Sequence, residues 1–134
     1  MVTLVAGHAQ GPVLYLDEPL SFWGGVDITS GTIIDSHHPQ AGQSVTGKVL
    51  VLPHARGSSS TSSVIAEMIR ARTAPAAVVL RSRDPVIVLG AVVARELYGW
   101  VLPVVVVDAD RYERLATSTF AEVLPEGVRE IGPA

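Results

Sequence analysis

The chain has 134 residues, 10 Lys and Arg against 13 Asp and Glu, a net charge of −3 and no cysteine. That length suits one domain with a single core, the acidic balance without a basic run excludes a nucleic-acid partner, and the missing thiols exclude a disulfide or a thiolate-held iron–sulfur cluster on this chain. Hydrophobic residues reach 48% and charged residues only 17%, so part of the apolar surface is expected to lie against a partner.

Residues 2–6 and 13–16 read as short strands, the second entered through Gly11 and Pro12. Residues 19–31 are rich in turn formers and are expected as an ordered loop, followed by a short strand near 32–34. A second loop, 35–42, leads to a strand at 48–52, whose apolar run suits a buried central position. After a loop at 53–60 the period changes. Val64, Ile65, Met68 and Ile69 fall at helical spacing, and the helix is expected to end near Thr73. Beyond Pro75, residues 76–80 read as a buried strand. Asp84 as N-cap and Pro85 at the first position open a helix that runs to about Tyr98 and stops at Gly99. Residues 102–107 are a third strong strand, 111–117 a short helix, and 121–124 with 128–131 a closing hairpin.

A β-rich first half followed by alternating strands and helices predicts an α/β fold of β/β/α type, in which right-handed crossovers set 48–52, 76–80 and 102–107 parallel. No repeat or linker interrupts residues 1–134, which are expected to form one domain. The longest apolar stretches, 86–94 and 101–107, are well short of the ~20 residues that span a bilayer. The first residues lack the positive start and cleavage pattern of a signal peptide. No membrane association and a cytoplasmic location are therefore expected.

The most informative stretch is 52–64, where His54, Ala55, Arg56 and Gly57 precede Ser58, Ser59, Ser60, Thr61, Ser62 and Ser63. It lies where a buried strand ends and a helix begins, and ligands bind outside the carboxyl ends of strands in open α/β sheets. The unpaired N–H groups of a first helical turn can cradle a carboxylate or phosphate. Their field also favours the ionised form of a nearby hydroxyl, and Gly57 lets the backbone approach a ligand closely. Helix capping is the competing explanation, and taken alone the pattern favours it. One cap needs one hydroxyl, however, and five serines with a threonine exceed that need.

Two other stretches stand out. Phe22 and Trp23 beside Gly24 and Gly25 suit a lid or pocket wall, although the residues alone slightly favour a loop whose aromatics pack onto the core. His37 and His38 are adjacent in a segment expected to be extended, so they point opposite ways and are poor joint metal ligands. No spacing typical of a zinc site is present.

Residues 20–27, 31–39, 47–60, 84–89 and 94–97, in this order, resemble the small subunit, or swivel domain, of aconitase X. The resemblance implies a swivelling β/β/α domain with a mixed sheet and parallel C-terminal strands. It implies the small subunit of a heteromeric hydro-lyase that removes water from a small hydroxy acid, either cis-3-hydroxy-L-proline or mevalonate 5-phosphate. Its partner in a heterodimer would be an aconitase X-type large subunit carrying an iron or iron–sulfur centre, with no cofactor held by this chain. The Gly-x-Gly-Ser-Ser-Arg loop of the wider superfamily corresponds here to Ala55, Arg56, Gly57, Ser58, Ser59 and Ser60. Ser58 is then the equivalent of the proton-abstracting serine. Ser60 stands where the superfamily has a carboxylate-binding arginine, so Arg56 is expected to supply that charge. Gly57, Ser59 and Ser60 would bind substrate through the loop backbone, Phe22, Trp23 and Asp27 would wall the pocket, and His37 would contact substrate or partner.

Residues 90–99 and 102–105 also resemble the mobile phosphohistidine domain of phosphoenolpyruvate-using enzymes. Aligned on Ala94, Arg95, Glu96 and Leu97, the positions of its Ser-His pair hold Val88 and Leu89, which cannot carry a phosphoryl group. A non-catalytic interaction domain of the same fold is the third possibility.

Overall fold

The computed structural model describes residues 1–57 and 60–131. Its first half contains β1 (Val2–Val5), β2 (Ala9–Tyr15), β3 (Leu20–Ser21), the single turn α1 (Phe22–Gly25), β4 (Val26–Asp27) and β5 (Thr32–Ile33). Then come β6 (Val49–Leu52), β7 (Ala55–Arg56), α2 (Ser60–Ala71), β8 (Ala77–Leu80) and α3 (Pro85–Tyr98). The chain closes with β9 (Val104–Val106), α4 (Ala109–Leu115), β10 (Phe120–Leu124) and β11 (Gly127–Ile131).

A seven-stranded mixed sheet in the order β1-β9-β8-β6-β2-β10-β11 organises these elements. β2, β6, β8 and β9 run parallel, and β1, β10 and β11 are antiparallel additions at the two edges. The three expected parallel strands are therefore neighbours, joined by helical crossovers through α2 and α3. Their residues alternate between two cores. Leu50, Leu52, Val78, Leu80 and Val104 face α2 and α3, whereas Val49, Val51, Ala77, Val79 and Val105 face Tyr112 and Leu115 of α4 and the closing hairpin. Burial on both faces is why these strands read as unbroken apolar runs.

The two crossover helices approach closely at Gly90. A Cβ built there would stand 2.8 Å from Ile65 Cβ and 2.8 Å from the Ser62 carbonyl oxygen. Ser62 Oγ donates to the Val86 carbonyl at 3.1 Å, joining the first turns of α2 and α3.

Several boundaries differ from expectation. β2 starts at Ala9, ahead of Gly11 and Pro12. Val13 N–H donates to Thr119 on the β10 side, so by alternation Pro12 nitrogen faces the opposite side, where the ladder with β6 begins only at Val13. Gly11 is required there, because a Cβ would meet the Gly47 carbonyl at 2.5 Å. Residues 19–31 are less loop-like than expected, since β3 pairs with β7 and β4 pairs with β5. α2 ends at Ala71, where Arg72 adopts φ +64° and Thr73 N–H returns to the Met68 carbonyl at 2.9 Å. α4 begins earlier than expected because Asp108 caps it, accepting from Arg111 N–H at 2.9 Å. No described helix is long and apolar enough to cross a membrane.

Candidate active site

β6 and β8 lie side by side in parallel, with Leu52 opposite Leu80, so the segments leaving them emerge at one edge of the sheet. Ser82 N–H and Oγ both donate to the Pro53 carbonyl, at 3.3 and 3.4 Å. Asp84 makes the tighter link. Its Oδ1 accepts from Val86 and Ile87 N–H at 3.1 and 3.2 Å, which caps α3, and its Oδ2 accepts from Ala55 N–H at 2.7 Å. Asp84 is only 7% exposed, so a buried carboxylate is satisfied by three backbone donors from two segments.

Ala55 and Arg56 pair in turn with Leu20 and Ser21. This ladder brings the aromatic turn to the loop, and the two aromatics divide. Phe22, expected to wall the pocket, is fully buried in the core shared with the buried faces of α2 and α3, so it supports the turn and offers a ligand no surface. Trp23 is 67% exposed and is the aromatic available to a ligand or partner. Ser21 Oγ donates to its carbonyl at 2.9 Å.

Arg56 is exposed, with a guanidinium nitrogen 3.7 Å from Glu18 Oε1. A half-exposed pair at that distance contributes about 0–1 kcal/mol, so an incoming carboxylate can exchange for Glu18. Glu18 is held from behind by His38, which is buried. His38 Nδ1 accepts from Gln40 N–H at 3.0 Å, which leaves the proton on Nε2 to donate to the Glu18 carbonyl at 3.2 Å. Gly57 follows at φ +113°, a conformation that favours glycine. Ser58 and Ser59 lie outside the described residues. Ser60 opens α2, whose first turn buries Thr61 and Ser62, and the positive end of that twelve-residue helix points back along the loop.

Two expected site residues remain, Asp27 and His37. Asp27 Oδ1 accepts from Thr29 N–H and Oγ1 at 3.0 and 2.7 Å, and the Thr29 side chain and then its N–H hold the carboxyl below its usual range. His37 is in a turn, not the extended segment expected, because Asp35 Oδ1 accepts its N–H at 3.0 Å and the Asp35 carbonyl accepts that of His38. Its side chain is 91% exposed. Among the described residues no group of three or more His, Asp or Glu is placed to hold a metal ion.

Sequence reasoning missed Glu18, His38 and the second role of Asp84. The capping pattern marked Asp84, but nothing local says that its other oxygen reaches Ala55, 29 residues away. A groove of about 420 Å³ beside Asp84 is lined by Leu4, Val88, Leu89 and Val92, and Leu97 on the same helix is 66% exposed. A larger groove, about 530 Å³, lies at the amino ends of β6, β8 and β9, around Gly47, Ala76 and Leu102, at the opposite edge of the sheet.

The aconitase X swivel domain model matches residues 1–131. The chain is 46% identical over 121 residues to the cis-3-hydroxy-L-proline dehydratase of Pseudomonas aeruginosa, covering 90% of this chain and 21% of that protein. It is 48% identical over 88 residues to the phosphomevalonate dehydratase small subunit of Methanothermobacter thermautotrophicus, covering 66% of this chain and 67% of that one. The chain thus spans about a fifth of the length of the hydroxyproline dehydratase that it matches. The crystal structure of Thermococcus kodakaraensis aconitase X in its holo-form superposes with a TM-score of 0.81 at 29% identity, covering 98% of this chain and 95% of that chain.

Proposed function

The chain belongs to the aconitase X swivel domain family, and from that premise we propose that it is the small subunit of a heteromeric hydro-lyase acting on cis-3-hydroxy-L-proline. The observation that carries the proposal is the 46% identity across nine tenths of the chain to a dehydratase of which it represents about a fifth. The other residues of such an enzyme belong, in this proposal, to a companion large subunit. The exposed Leu89 and Leu97 on α3 support a partner on that side.

Dehydration of a β-hydroxy acid breaks the C–H bond next to the acid group and the C–O bond of the neighbouring carbon. The C–H electron pair forms the new double bond, the C–O pair leaves with the hydroxyl as hydroxide, and the abstracted proton needs an acceptor that holds it until a proton joins the hydroxide as water. Ser58 Oγ is that acceptor in this proposal, its ionised form favoured by the positive end of α2 and by Arg56. Arg56 anchors the substrate carboxylate in exchange for Glu18. Backbone N–H groups of Ser59 and Ser60 stabilise the charge that develops as the proton leaves. Trp23 covers the exposed side. In this proposal an iron or iron–sulfur centre on the companion subunit would act as a Lewis acid on the departing hydroxyl.

The test is co-expression with a companion aconitase X-type large subunit and parallel assay of cis-3-hydroxy-L-proline and mevalonate 5-phosphate. Turnover of the proline derivative alone is expected. Turnover of the phosphate alone would move the chain to the other branch, which the 48% identity to the archaeal small subunit makes the second reading. Ser58→Ala is expected to abolish turnover while the complex still assembles. A rate within twofold of wild type would remove Ser58 from the chemistry.

A further inference from the structure

We propose that Asp84 is a positioning residue for Arg56, fixing where the guanidinium meets the substrate through the Ala55 amide; this rests on the role proposed for Arg56 above. Asp84 does more than a cap requires. Oδ1 alone satisfies the α3 amides of Val86 and Ile87, while Oδ2 is committed to Ala55 N–H at 2.7 Å, shorter than either capping bond. The residue is only 7% exposed, so little water competes for its oxygens. The bond lands on the residue immediately before Arg56, within a strand only two residues long.

Such a strand has little rigidity of its own. β7 is held on one side by β3, whose Leu20 is fully buried, and by Asp84 through Ala55 N–H. Gly57, immediately after it, adds freedom instead of restraint. The direction in which Arg56 leaves the backbone is therefore set at Ala55, and a shift there swings a long side chain whose only ion-pair partner among the described residues is the half-exposed Glu18. The α3 end of the clamp is anchored by the close packing of Gly90 on Ile65 and by Ser62 on Val86.

Asp84→Asn separates positioning from capping. In D84N the side-chain oxygen still accepts from Val86 and Ile87, and Asn caps as well as Asp. The amide nitrogen then faces Ala55 N–H, donor against donor, and that link is lost. In the complex with the large subunit, D84N is expected to raise KM by about tenfold with kcat changed less, the pattern of lost binding geometry. R56A is expected to raise KM at least as much, and the double variant no more than about twofold beyond R56A, because both remove one interaction. Amide exchange at Ala55 is expected to quicken at least about tenfold in D84N while Val86 and Ile87 keep their protection. Additive KM effects, or a wild-type KM and Ala55 exchange in D84N beside a raised KM in R56A, would overturn the role of Asp84 alone. A wild-type KM in R56A would overturn the assignment of Arg56 and with it this proposal.

Discussion

Gly90 lies in the middle of α3, where helix propensity and packing make opposite predictions for Gly90→Ala. Propensity alone stabilises the variant by about 1 kcal/mol, because alanine is the best helix former and glycine among the worst. Packing opposes this. The added Cβ would stand 2.8 Å from Ile65 Cβ, 2.8 Å from the Ser62 carbonyl and 3.0 Å from Ile65 Cγ2, against a normal carbon–carbon separation of about 3.5–4.0 Å. One of the three atoms is α2 backbone, so a rotamer change cannot relieve the crowding and the helices must separate. Overpacking of this kind costs about 1–3 kcal/mol. The expected outcome is a net loss of about 1 kcal/mol, or roughly 3–5 °C in Tm, measured by urea and thermal denaturation. Gly90→Val, bulkier and β-branched, should lose about 3 kcal/mol. The same separation strains the Ser62–Val86 bond, so kcat of the assembled enzyme should fall further than stability accounts for. A Gly90→Ala chain more stable than wild type by about 1 kcal/mol would show that the gap between α2 and α3 closes without cost.

Two further changes test other parts of the fold. The Tyr112 hydroxyl is buried and makes no hydrogen bond of good geometry among the described residues; burial first, then Tyr15, whose ring packs on it at 5.2 Å, pushes its pKa up. Tyr112→Phe keeps the ring, removes a poorly paired buried group and is expected to raise stability by about 1 kcal/mol; a loss of that size by thermal denaturation would show that the bond to Tyr15 is made. Glu122, also buried, is bonded by His8 Nε2 at 2.6 Å and by Arg129 at 2.5 Å. The bond from His8 first, then the charge of Arg129, holds its carboxyl below the usual range. A carboxyl depressed in the folded state contributes stability above its unfolded value of about 4.3 and loses it as pH falls through the lower folded value. Glu122→Gln should therefore flatten the acid side of Tm against pH, leaving the smaller slope due to Asp27, Glu67 and Asp108, which are also depressed. An unchanged slope would remove the cluster from acid stability.

Much of the fold was legible because its signals are local. The apolar runs at β6, β8 and β9 declare burial on both faces, and Asp84, Pro85 and Gly99 bound α3 through capping geometry confined to a few residues. Chain direction followed, since short crossovers of one hand leave few arrangements for three such strands. The loop after β6 was legible as a candidate site from its place between strand and helix. The segment 19–31 was less so. Its pairings, β3 with β7 and β4 with β5, involve two residues on each side, too few to show any hydrophobic period.

Composition and pattern by themselves determined the longer helices and the three central parallel strands, that those strands are buried, and that the serine-rich loop follows a carboxyl-terminal strand end. Only the tertiary structure decided that Phe22 belongs to the core while Trp23 faces outward, that His38 holds Glu18 beside Arg56, and that Asp84 binds Ala55 as well as its own helix. The last two choices depend on atoms brought together from 20 to 38 positions apart along the chain. A side chain's second partner is set by how helices and strands pack, and no stretch of neighbouring residues encodes it.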